Sequence, residues 1–333
     1  MKAFKNFTLI DASKMSEEEW QFARSQFSLK GCIGGSDCAV LLGLSKYKSP
    51  ISLFYNAIGL VPLPSVMNNA LLHGKQLEDY VAKCWQYYDG TDEGWIANTL
   101  ANNKVNKYRK YKKIIVNPKY PALAANIDGI ITKFDGKKSE HGILEIKTIS
   151  GYASDSYVGG IPPSYVCQIN HYMLVTGFKW ACICYLKDGR ELGRVVYEAD
   201  PIIQNAILES ANEFQSRVLA FREATAGITD KDMLWQIASQ YEPDADASDD
   251  FNRFISEKHK QREEEINIIG EEAENNLALE YVTVSSEIKS LEENKQLLQN
   301  KLKQHMEKQG ATSMTLPSGK ITWRKSFLVK LKQ

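Results

Sequence analysis

Apolar residues recur at helical spacing in the first part of the chain. Between residues 69 and 88 they lie three or four positions apart, at Leu77, Val81, Cys84, Trp85 and Tyr88. This spacing predicts a long helix with one buried side, because residues three and four apart share a helical face. A run that starts at Ser36-Asp37 and ends at Gly43 predicts a capped short helix, and residues 53–58 predict another.

The middle of the chain carries short apolar runs separated by turn residues. The runs at residues 114–116, 122–131 and 143–149 predict strands that lie next to one another. Residues 180–186 and 194–197 predict a β-hairpin. We therefore expect an α/β (α+β) fold with a mixed central sheet flanked by helices.

Two further helices are predicted from their ends. One starts at Pro162-Pro163 and is terminated by Gly177. The other begins at Asp200-Pro201, as N-cap and first helical residue, and runs to about residue 222.

The last third of the chain changes in character. Residues 242–250 are acidic and poor in large apolar residues, which is typical of an exposed linker. Beyond them, apolar residues alternate in steps of four and three that are broken by Lys295, at Val284, Ile288, Leu291, Leu298 and Leu302. This pattern predicts a short coiled coil or a helical hairpin. Residues 313–327 predict a small β element.

These patterns predict three segments. We expect a main domain over residues 1–225, an acidic linker over residues 226–250, and a helical coiled-coil extension with a small terminal β element over residues 251–333.

Composition narrows the class of protein. The 333 residues are 43% hydrophobic and 25% charged, as in ordinary globular proteins, and 41 basic residues balance 41 acidic ones. Any nucleic-acid surface must therefore come from local clustering of charge. No stretch approaches the roughly 18 apolar residues of a membrane span, so we expect a cytoplasmic protein. The six cysteines lack zinc-like or iron-sulfur spacing and are expected to be reduced core residues.

The chemistry is expected around two of the predicted strands. Side chains alternate along a strand, so Glu145 and Lys147 share one face while Leu144 and Ile146 face the core. If the two strands pair, Asp128 meets Glu145 at the same face.

Such a group of side chains is suited to metal-dependent hydrolysis of phosphodiesters, because carboxylates hold hard divalent cations. Asp128 and Glu145 would be metal ligands, with the Ile146 carbonyl as a plausible third. Lys147 would orient the attacking water or stabilise the phosphate oxygens, and nearby metal ions could lower its pKa. Glu78, at the edge of the buried stripe of the long helix, would be a fourth contributor.

Each of these features alone has a structural alternative. A Glu-x-Lys pair in a strand is usually a solvated face, Asp-Gly is usually a turn, and Glu78 could be the polar rim of an amphipathic helix. Their order along the chain, with the acids inside apolar runs where unpaired charges are costly, favours a site.

On the basis of these and further motifs, the chain resembles the PD-(D/E)xK nuclease superfamily. It resembles more closely the YqaJ-like viral recombinases related to phage lambda exonuclease. The resemblance covers roughly residues 31–200. Ile127 stands where the family has a proline before the first acid. The motifs that carry the resemblance are Ile33-Gly34-Gly35-Ser36-Asp37, Gly43-Leu44-Ser45-Lys46-Tyr47-Lys48-Ser49-Pro50, Gly74 with Glu78, Asp128-Gly129, Glu145-Ile146-Lys147, and Gln168 with Tyr172.

The resemblance implies a restriction-endonuclease-like core and a Mg²⁺-dependent exonuclease, with two ions in the site and Mn²⁺ as a substitute. Its substrate would be the ends of double-stranded DNA, digested on one strand from 5′ to 3′. It also implies a homo-oligomeric ring, a trimer or tetramer, and a single-strand annealing protein as partner in phage-type recombination. The gene would be carried by a phage or prophage in a bacterial host.

Several residues are candidates for binding DNA. Ser36 and Asp37 follow two glycines at a helix start, where free N–H groups favour a phosphate, although Ser36 could equally be a plain N-cap. By resemblance, Ser36 contacts the phosphate near the 5′ end. Gln168 and Tyr172 lie four apart on one helical face, as in a QxxxY motif, with core packing as the alternative for Tyr172.

A basic cluster lies next to the predicted sheet. It can follow a phosphate backbone while its aromatic residues stack on unpaired bases, or it can be a solvated loop. Its members are Lys104, Lys107, Arg109, Lys110, Lys112 and Lys113, interleaved with Tyr108 and Tyr111.

Two other functions remain open on the sequence. The same site could serve an endonuclease, which would cut covalently closed circles. Alternatively, the acids are structural and the chain is a nucleic-acid-binding or scaffold protein that assembles through its coiled coil.

Overall fold

The chain divides into two units, residues 1–261 and 262–333. The computed structural model describes residues 4, 6–45, 47–61, 69–151, 161–260, 266–324 and 326–331. Lys46, which belongs to one of the family motifs, lies outside the described residues. No helix in these ranges is long and apolar enough to cross a membrane.

The first unit contains nine described helices and eight described strands. Its helices are α1 (Glu17–Ser28), α2 (Gly35–Leu41), α3 (Pro50–Ala57), α4 (Asn69–Trp85), α5 (Asp92–Leu100), α6 (Pro163–Thr176), α7 (Pro201–Ala224), α8 (Lys231–Ala238) and α9 (Asp249–Lys260). Its strands are β1 (Thr8–Asp11), β2 (Lys107–Lys110), β3 (Lys113–Val116), β4 (Ala124–Ala125), β5 (Gly129–Phe134), β6 (Lys137–Ile149), β7 (Trp180–Lys187) and β8 (Glu191–Glu198).

A mixed five-stranded sheet in the order β2-β5-β6-β7-β8 forms the centre of this unit. Among these five strands, only β6 and β7 run parallel to each other, and α6 lies between them in the chain. The expected mixed α/β architecture is therefore confirmed.

Apolar side chains cover both faces of the central sheet. Ile143 and Ile183 belong to the main core, together with residues of α3, α6 and α7. Leu144 and Cys182 belong to a second core, which packs against Val81 and other residues of α4. The strands are apolar on both sides because each side chain, alternating along the strand, meets one of these two cores.

The three predicted runs do lie next to one another, but they belong to two sheets rather than one. β3 pairs with β1 and β4 in a separate three-stranded antiparallel sheet. The run at residues 122–131 is divided between β4, in that sheet, and β5, in the central sheet. The two halves are continuous in hydrophobicity, but their backbone hydrogen bonds go to different strands.

Several helix and turn predictions are confirmed. α4 covers most of the predicted long helix, with Val81 and Trp85 buried. α6 ends at Gly177, whose φ of 75° suits glycine. Asp200 caps α7 by accepting hydrogen bonds from the first helical N–H groups.

The starts of α2 and α3 differ from the predictions. Gly34, not Ser36, is the N-cap of α2, and the Asp37 side chain accepts a hydrogen bond from the Gly34 N–H at 3.2 Å. The interpretation of Ser36 as an N-cap is therefore wrong. α3 begins at Pro50, three residues before the predicted start, because Ser49 caps it and proline is favoured at the first helical position.

The acidic stretch at residues 242–250 is not an exposed linker. The Ser49 N–H donates to Asp250 at 2.9 Å, and the Ser49 hydroxyl donates to Asp246 at 2.5 Å. Asp250 is only 7% exposed. The carboxylates are held at the N-terminus of α3, where the helix dipole favours negative charge. The first unit therefore continues to residue 261, past the predicted boundary at residues 226–250.

The second unit consists of one long helix and a small sheet. The helix α10 (Glu272–Lys308) is continuous, so the alternative of a helical hairpin is wrong. The strands β9 (Ser313–Leu316), β10 (Gly319–Trp323) and β11 (Phe327–Leu331) form an antiparallel sheet, which extends the predicted β element.

Candidate active site

Glu145 and Lys147 lie on the same face of β6, as the strand alternation predicts. Their neighbours Leu144 and Ile146 are buried on the opposite face, in the core beside α4. The side chain of Glu145 is only 4% exposed, and Lys147 Nζ lies 2.6 Å from Glu145 Oε1. A buried carboxylate is thus held next to an ammonium group at the centre of the sheet.

Asp128 precedes β5 and faces the same position of the sheet. The antiparallel register pairs Gly129 with Leu144, which places Asp128 opposite Glu145. One Asp128 oxygen, Oδ2, accepts a hydrogen bond of 2.8 Å from the Ile146 N–H. The expected meeting of the two strands at this site is therefore seen in the geometry.

Gln168 connects the helix α6 to this pair. Its Oε1 accepts a hydrogen bond from Lys147 Nζ at 3.0 Å, and its Nε2 donates to Glu145 Oε1 at 2.9 Å. The same Nε2 donates to the Tyr172 hydroxyl at 2.8 Å. Glu145, Lys147, Gln168 and Tyr172 form one hydrogen-bonded network. Gln168 and Tyr172 share one face of α6, as their spacing predicts.

Tyr172 is buried and also sets the distance between α6 and α2. A Cβ atom built on Gly35 would lie 2.4 Å from the Tyr172 ring, so a side chain at Gly35 would collide with it. The glycine pair before Ser36 therefore permits close helix packing, and Tyr172 has the packing role that was the alternative to DNA contact.

Glu78 reaches the site from α4. Its side chain is 32% exposed, and Glu78 Oε1 lies 3.4 Å from Lys110 Nζ. Lys110 also forms an ion pair with Asp79. Glu78 is thus near the strand carboxylates, and it shares the ammonium group of Lys110, on β2, with Asp79.

The carboxylates of the site resist ionisation. Burial raises the pKa of Asp128 well above its ordinary value, and the charges of Glu145 and Glu78 raise it further. Burial also raises the pKa of Glu145, although Lys147 opposes the shift. For Lys147, burial acts to lower the pKa, but Glu145 and Asp128 outweigh it and the net shift is upward. The lowered pKa expected for Lys147 depends on metal ions, and it stays a prediction.

The donor set suits a hard divalent cation. Glu145 Oε2 is buried without a hydrogen-bond partner among the described residues, which is costly for a carboxylate oxygen unless a cation is bound to it. Within the same ranges, no three His, Cys, Asp or Glu side chains already form a metal-binding cluster. Asp128 accepts a hydrogen bond from the Ile146 N–H, and Glu78 forms an ion pair with Lys110. Two of the three candidate carboxylate ligands therefore already have partners within the protein.

Asp37 and Ser36 occupy different environments. Asp37 is buried, caps α2, and lies 4.0 Å from Arg24 Nη2 and 3.8 Å from Lys48 Nζ. Ser36 is exposed beside them. Asp37 thus has a structural role. Of its two neighbouring cations, Lys48 belongs to one of the motifs named above, and Arg24 was not indicated by the sequence pattern.

Some residues of the basic cluster line a groove, and others pack against the core. An open groove of about 490 Å³ lies beside β1, β2 and β3. Its lining residues are Phe4, Leu9, Asp11, Ser13, Arg109, Lys110, Tyr111, Lys112 and Lys113.

The two tyrosines of this cluster are buried to different degrees. Tyr111 is buried, and Tyr108 packs edge-on against Trp85 with ring centroids 6.0 Å apart. Lys107 lies on β2 and is exposed. Burial therefore excludes base stacking for Tyr111, whereas for the half-buried Tyr108 it stays a prediction, as does contact of the basic side chains with phosphates.

The prediction for the cysteines is confirmed, and one histidine is also part of the core. His171 is buried and shares a 2.9 Å hydrogen bond with the Ala124 carbonyl, and burial lowers its pKa to about 4. It is therefore a neutral core residue. All six cysteines are free thiols, and all but Cys84 are buried.

Comparison with known proteins identifies the segment that contains this site. Residues 19–179 match the family model of the YqaJ-like viral recombinase domain. The match covers a little under half of the chain, so the segment is similar to that family's domain. The matched segment begins within α1, ends just after α6, and includes Glu78, Asp128, Glu145, Lys147 and Gln168.

Individual proteins are similar over longer stretches. "Uncharacterized protein YqaJ" from Bacillus subtilis (strain 168) is 28% identical over 301 residues, which cover 90% of this chain and 81% of that protein. A crystal structure of LHK-Exo in complex with dAMP is 16% identical, with a TM-score of 0.45 over 62% of this chain and 100% of the other. A crystal structure of an alkaline exonuclease (LHK-Exo) from Laribacter hongkongensis is 17% identical, with a TM-score of 0.44 over 67% and 98% of the two chains.

Proposed function

We propose that this YqaJ-like chain is a metal-dependent deoxyribonuclease with a PD-(D/E)xK, restriction-endonuclease-like core. Its substrate would be linear duplex DNA, degraded from an end in the 5′ to 3′ direction. The observation that carries the proposal is the buried, unpaired Glu145 Oε2 beside the Lys147–Gln168 network. A purely structural carboxylate at this place would be expected to have both oxygens satisfied.

Asp128, Glu145 and Glu78 are the residues that would hold Mg²⁺ or Mn²⁺, with the Ile146 carbonyl as a further candidate. Two bound ions would neutralise charge on the phosphate and make a water molecule more acidic. To join them, Glu78 would exchange its ion pair with Lys110 for a metal contact.

Lys147 would orient the attacking water and stabilise negative charge on the phosphate oxygens. Gln168 fixes its position, because the amide bonds to Lys147 and Glu145 at once. Tyr172 in turn holds Gln168 and is itself buried, so the network is anchored on a rigid helix.

The DNA would follow two basic surfaces. Arg24 and Lys48, beside the exposed Ser36, would bind a phosphate near the cleaved end. The groove with Arg109, Lys112 and Lys113 would bind the backbone further along the duplex. In the cell, the exposed strand would be taken up by a single-strand annealing protein, and the nuclease would act as a ring of three or four copies.

Digestion of duplexes labelled at either the 5′ or the 3′ end tests activity and polarity together. With Mg²⁺, we expect early release of the 5′ label. Lys147→Ala should lower the rate at least about 100-fold, since a positioned acid–base group contributes that much. Lys137→Ala, an exposed lysine at the far end of the same strand, should leave it unchanged.

Two results would count against this function. Cutting of a covalently closed circle would make the chain an endonuclease that uses the same site. Full activity in both Lys147→Ala and Glu145→Ala, with the fold intact, would show that the acids are structural.

A further inference from the structure

One face of α10 repeats apolar residues in the heptad pattern of a coiled coil. Two positions of the heptad, conventionally a and d, form this face. The d positions hold Leu277, Val284, Leu291 and Leu298, and the a positions hold Tyr281, Ile288, Lys295 and Leu302. Because the helix is continuous from Glu272 to Lys308, these residues form a single stripe.

The stripe is open to solvent along most of its length. Tyr281 is 75% exposed, Ile288 is 52% exposed and Leu291 is 67% exposed. An apolar stripe of this length on a protein surface indicates a contact surface.

The small sheet of the second unit packs beside the C-terminal end of the stripe on α10. Met306 is 1% exposed, and Lys303 Nζ lies 5.6 Å from the centre of the Trp323 ring of β10. Met306 and Lys303 are at the e and b positions of the heptad, so the sheet borders the stripe only at its last turn, where Leu302 is half-buried. The a and d residues from Leu277 to Leu298 stay exposed and available for another helix.

The charges beside the stripe discriminate between orientations of a second copy. In a parallel pair, equal a positions face each other, so Lys295 would lie against Lys295 of the second copy. The flanking g and e positions would then bring Glu287 against Glu292 of the second copy. Both contacts are repulsive, and both lie in the middle of the helix.

An antiparallel pair centred near Asn294 converts the charges at the g positions into attractive pairs, while at the e positions Glu292 lies opposite its own equivalent. In this orientation g positions face g positions, which brings Glu280 to Lys308 and Glu287 to Lys301 of the second copy. By symmetry each pair occurs twice, and Asn294 faces its own equivalent. All five residues are exposed. In the core, Ile288 packs against Leu298, and each Lys295 lies close to Glu292 of the second copy rather than to the other lysine.

We propose that two copies of this chain associate through α10 as an antiparallel coiled coil centred near Asn294. The contact is two-fold and closed, so it adds one partner and no more. It is independent of the nuclease proposal, because every residue that forms it belongs to the second unit.

A cysteine cross-link tests the contact and its register. Asn294→Cys in the full chain should form a covalent dimer on oxidation with oxidised glutathione, seen on a non-reducing gel, because the two equivalents of this residue face each other. Asn300→Cys, the same substitution on the outer face of the helix, and the unmodified chain should both remain single chains. Equal cross-linking of the two variants, or none in Asn294→Cys, would overturn the proposal.

Charge reversal tests the orientation. One chain carries Glu280→Lys and Glu287→Lys, and the other carries Lys301→Glu and Lys308→Glu. Each alone should self-associate at least about tenfold more weakly than the original chain in sedimentation velocity, and an equimolar mixture should recover the original association. A parallel pair predicts the opposite for the first chain, since Glu287→Lys would then place a positive charge against Glu292 of the second copy. Stronger association of that chain alone, or no recovery on mixing, would contradict the antiparallel arrangement.

Discussion

Asp128 is an ionisable side chain at a place where ionisation is costly. Burial and two neighbouring carboxylates raise its pKa. The folded, metal-free chain therefore holds this proton more tightly than the unfolded chain does. The resulting contribution to stability is complete below the ordinary pKa of 3.8 and is lost as the pH rises through the raised value.

This argument predicts that Asp128→Asn stabilises the metal-free protein. At pH 8 the gain should be about 1 to 3 kcal/mol, and it should shrink toward pH 5, because only the charged carboxylate is unfavourable there. Urea unfolding at several pH values measures the difference. Asp244→Asn, an exposed acid, is the control and should change stability little. A destabilised Asp128→Asn at pH 8 would show that the site does not carry excess negative charge.

The residues of this site were predictable to different degrees. Strand alternation is local, so it was enough to place Glu145 and Lys147 on one face. The ion pair of Glu78 with Lys110 joins positions more than thirty residues apart, and that of Arg24 with Asp37 joins two separate helices. Nothing in the local pattern indicates which lysine or arginine will meet which acid.

At the scale of elements, long segments with a clear period were predicted well. α4 has regular apolar spacing, α6 has clear end signals, and the β7–β8 hairpin has Asp188 and Gly189 with positive φ in its turn. The assignment of β3 and β4 to a second sheet was not predictable, because strand partners are chosen by long-range packing.

The acidic stretch at residues 242–250 also makes contacts that local composition does not predict. Its composition is that of a linker, yet Asp246 and Asp250 find donors at the start of α3. A segment without large apolar residues can thus be held in place by hydrogen bonds to residues that are distant in sequence.

Asp250→Ala should therefore destabilise the first unit by about 1 to 3 kcal/mol, since it leaves the buried Ser49 N–H without its acceptor. Asp249→Ala removes the neighbouring acid, which is exposed, and serves as the matched control. Thermal or chemical unfolding compares the two. Equal effects would indicate that the docked stretch contributes only through general charge.

At the scale of the whole molecule, the two units carry different kinds of candidate surface. The first contains the carboxylates, the ammonium group and the basic groove, and the second carries an exposed heptad stripe. A net charge of zero conceals this division, because local clusters of both signs cancel in the sum.

The convergence of Asp128, Glu145 and Glu78 on a divalent cation is the claim on which the proposed function depends. Isothermal titration of the full chain with Mn²⁺ and with Mg²⁺ tests it most directly. We expect saturable binding that is lost in Asp128→Asn and Glu145→Gln but retained in Lys147→Ala, whose defect should lie in hydrolysis. Absence of binding to the original chain, or unchanged binding in the two carboxylate variants, would contradict the account.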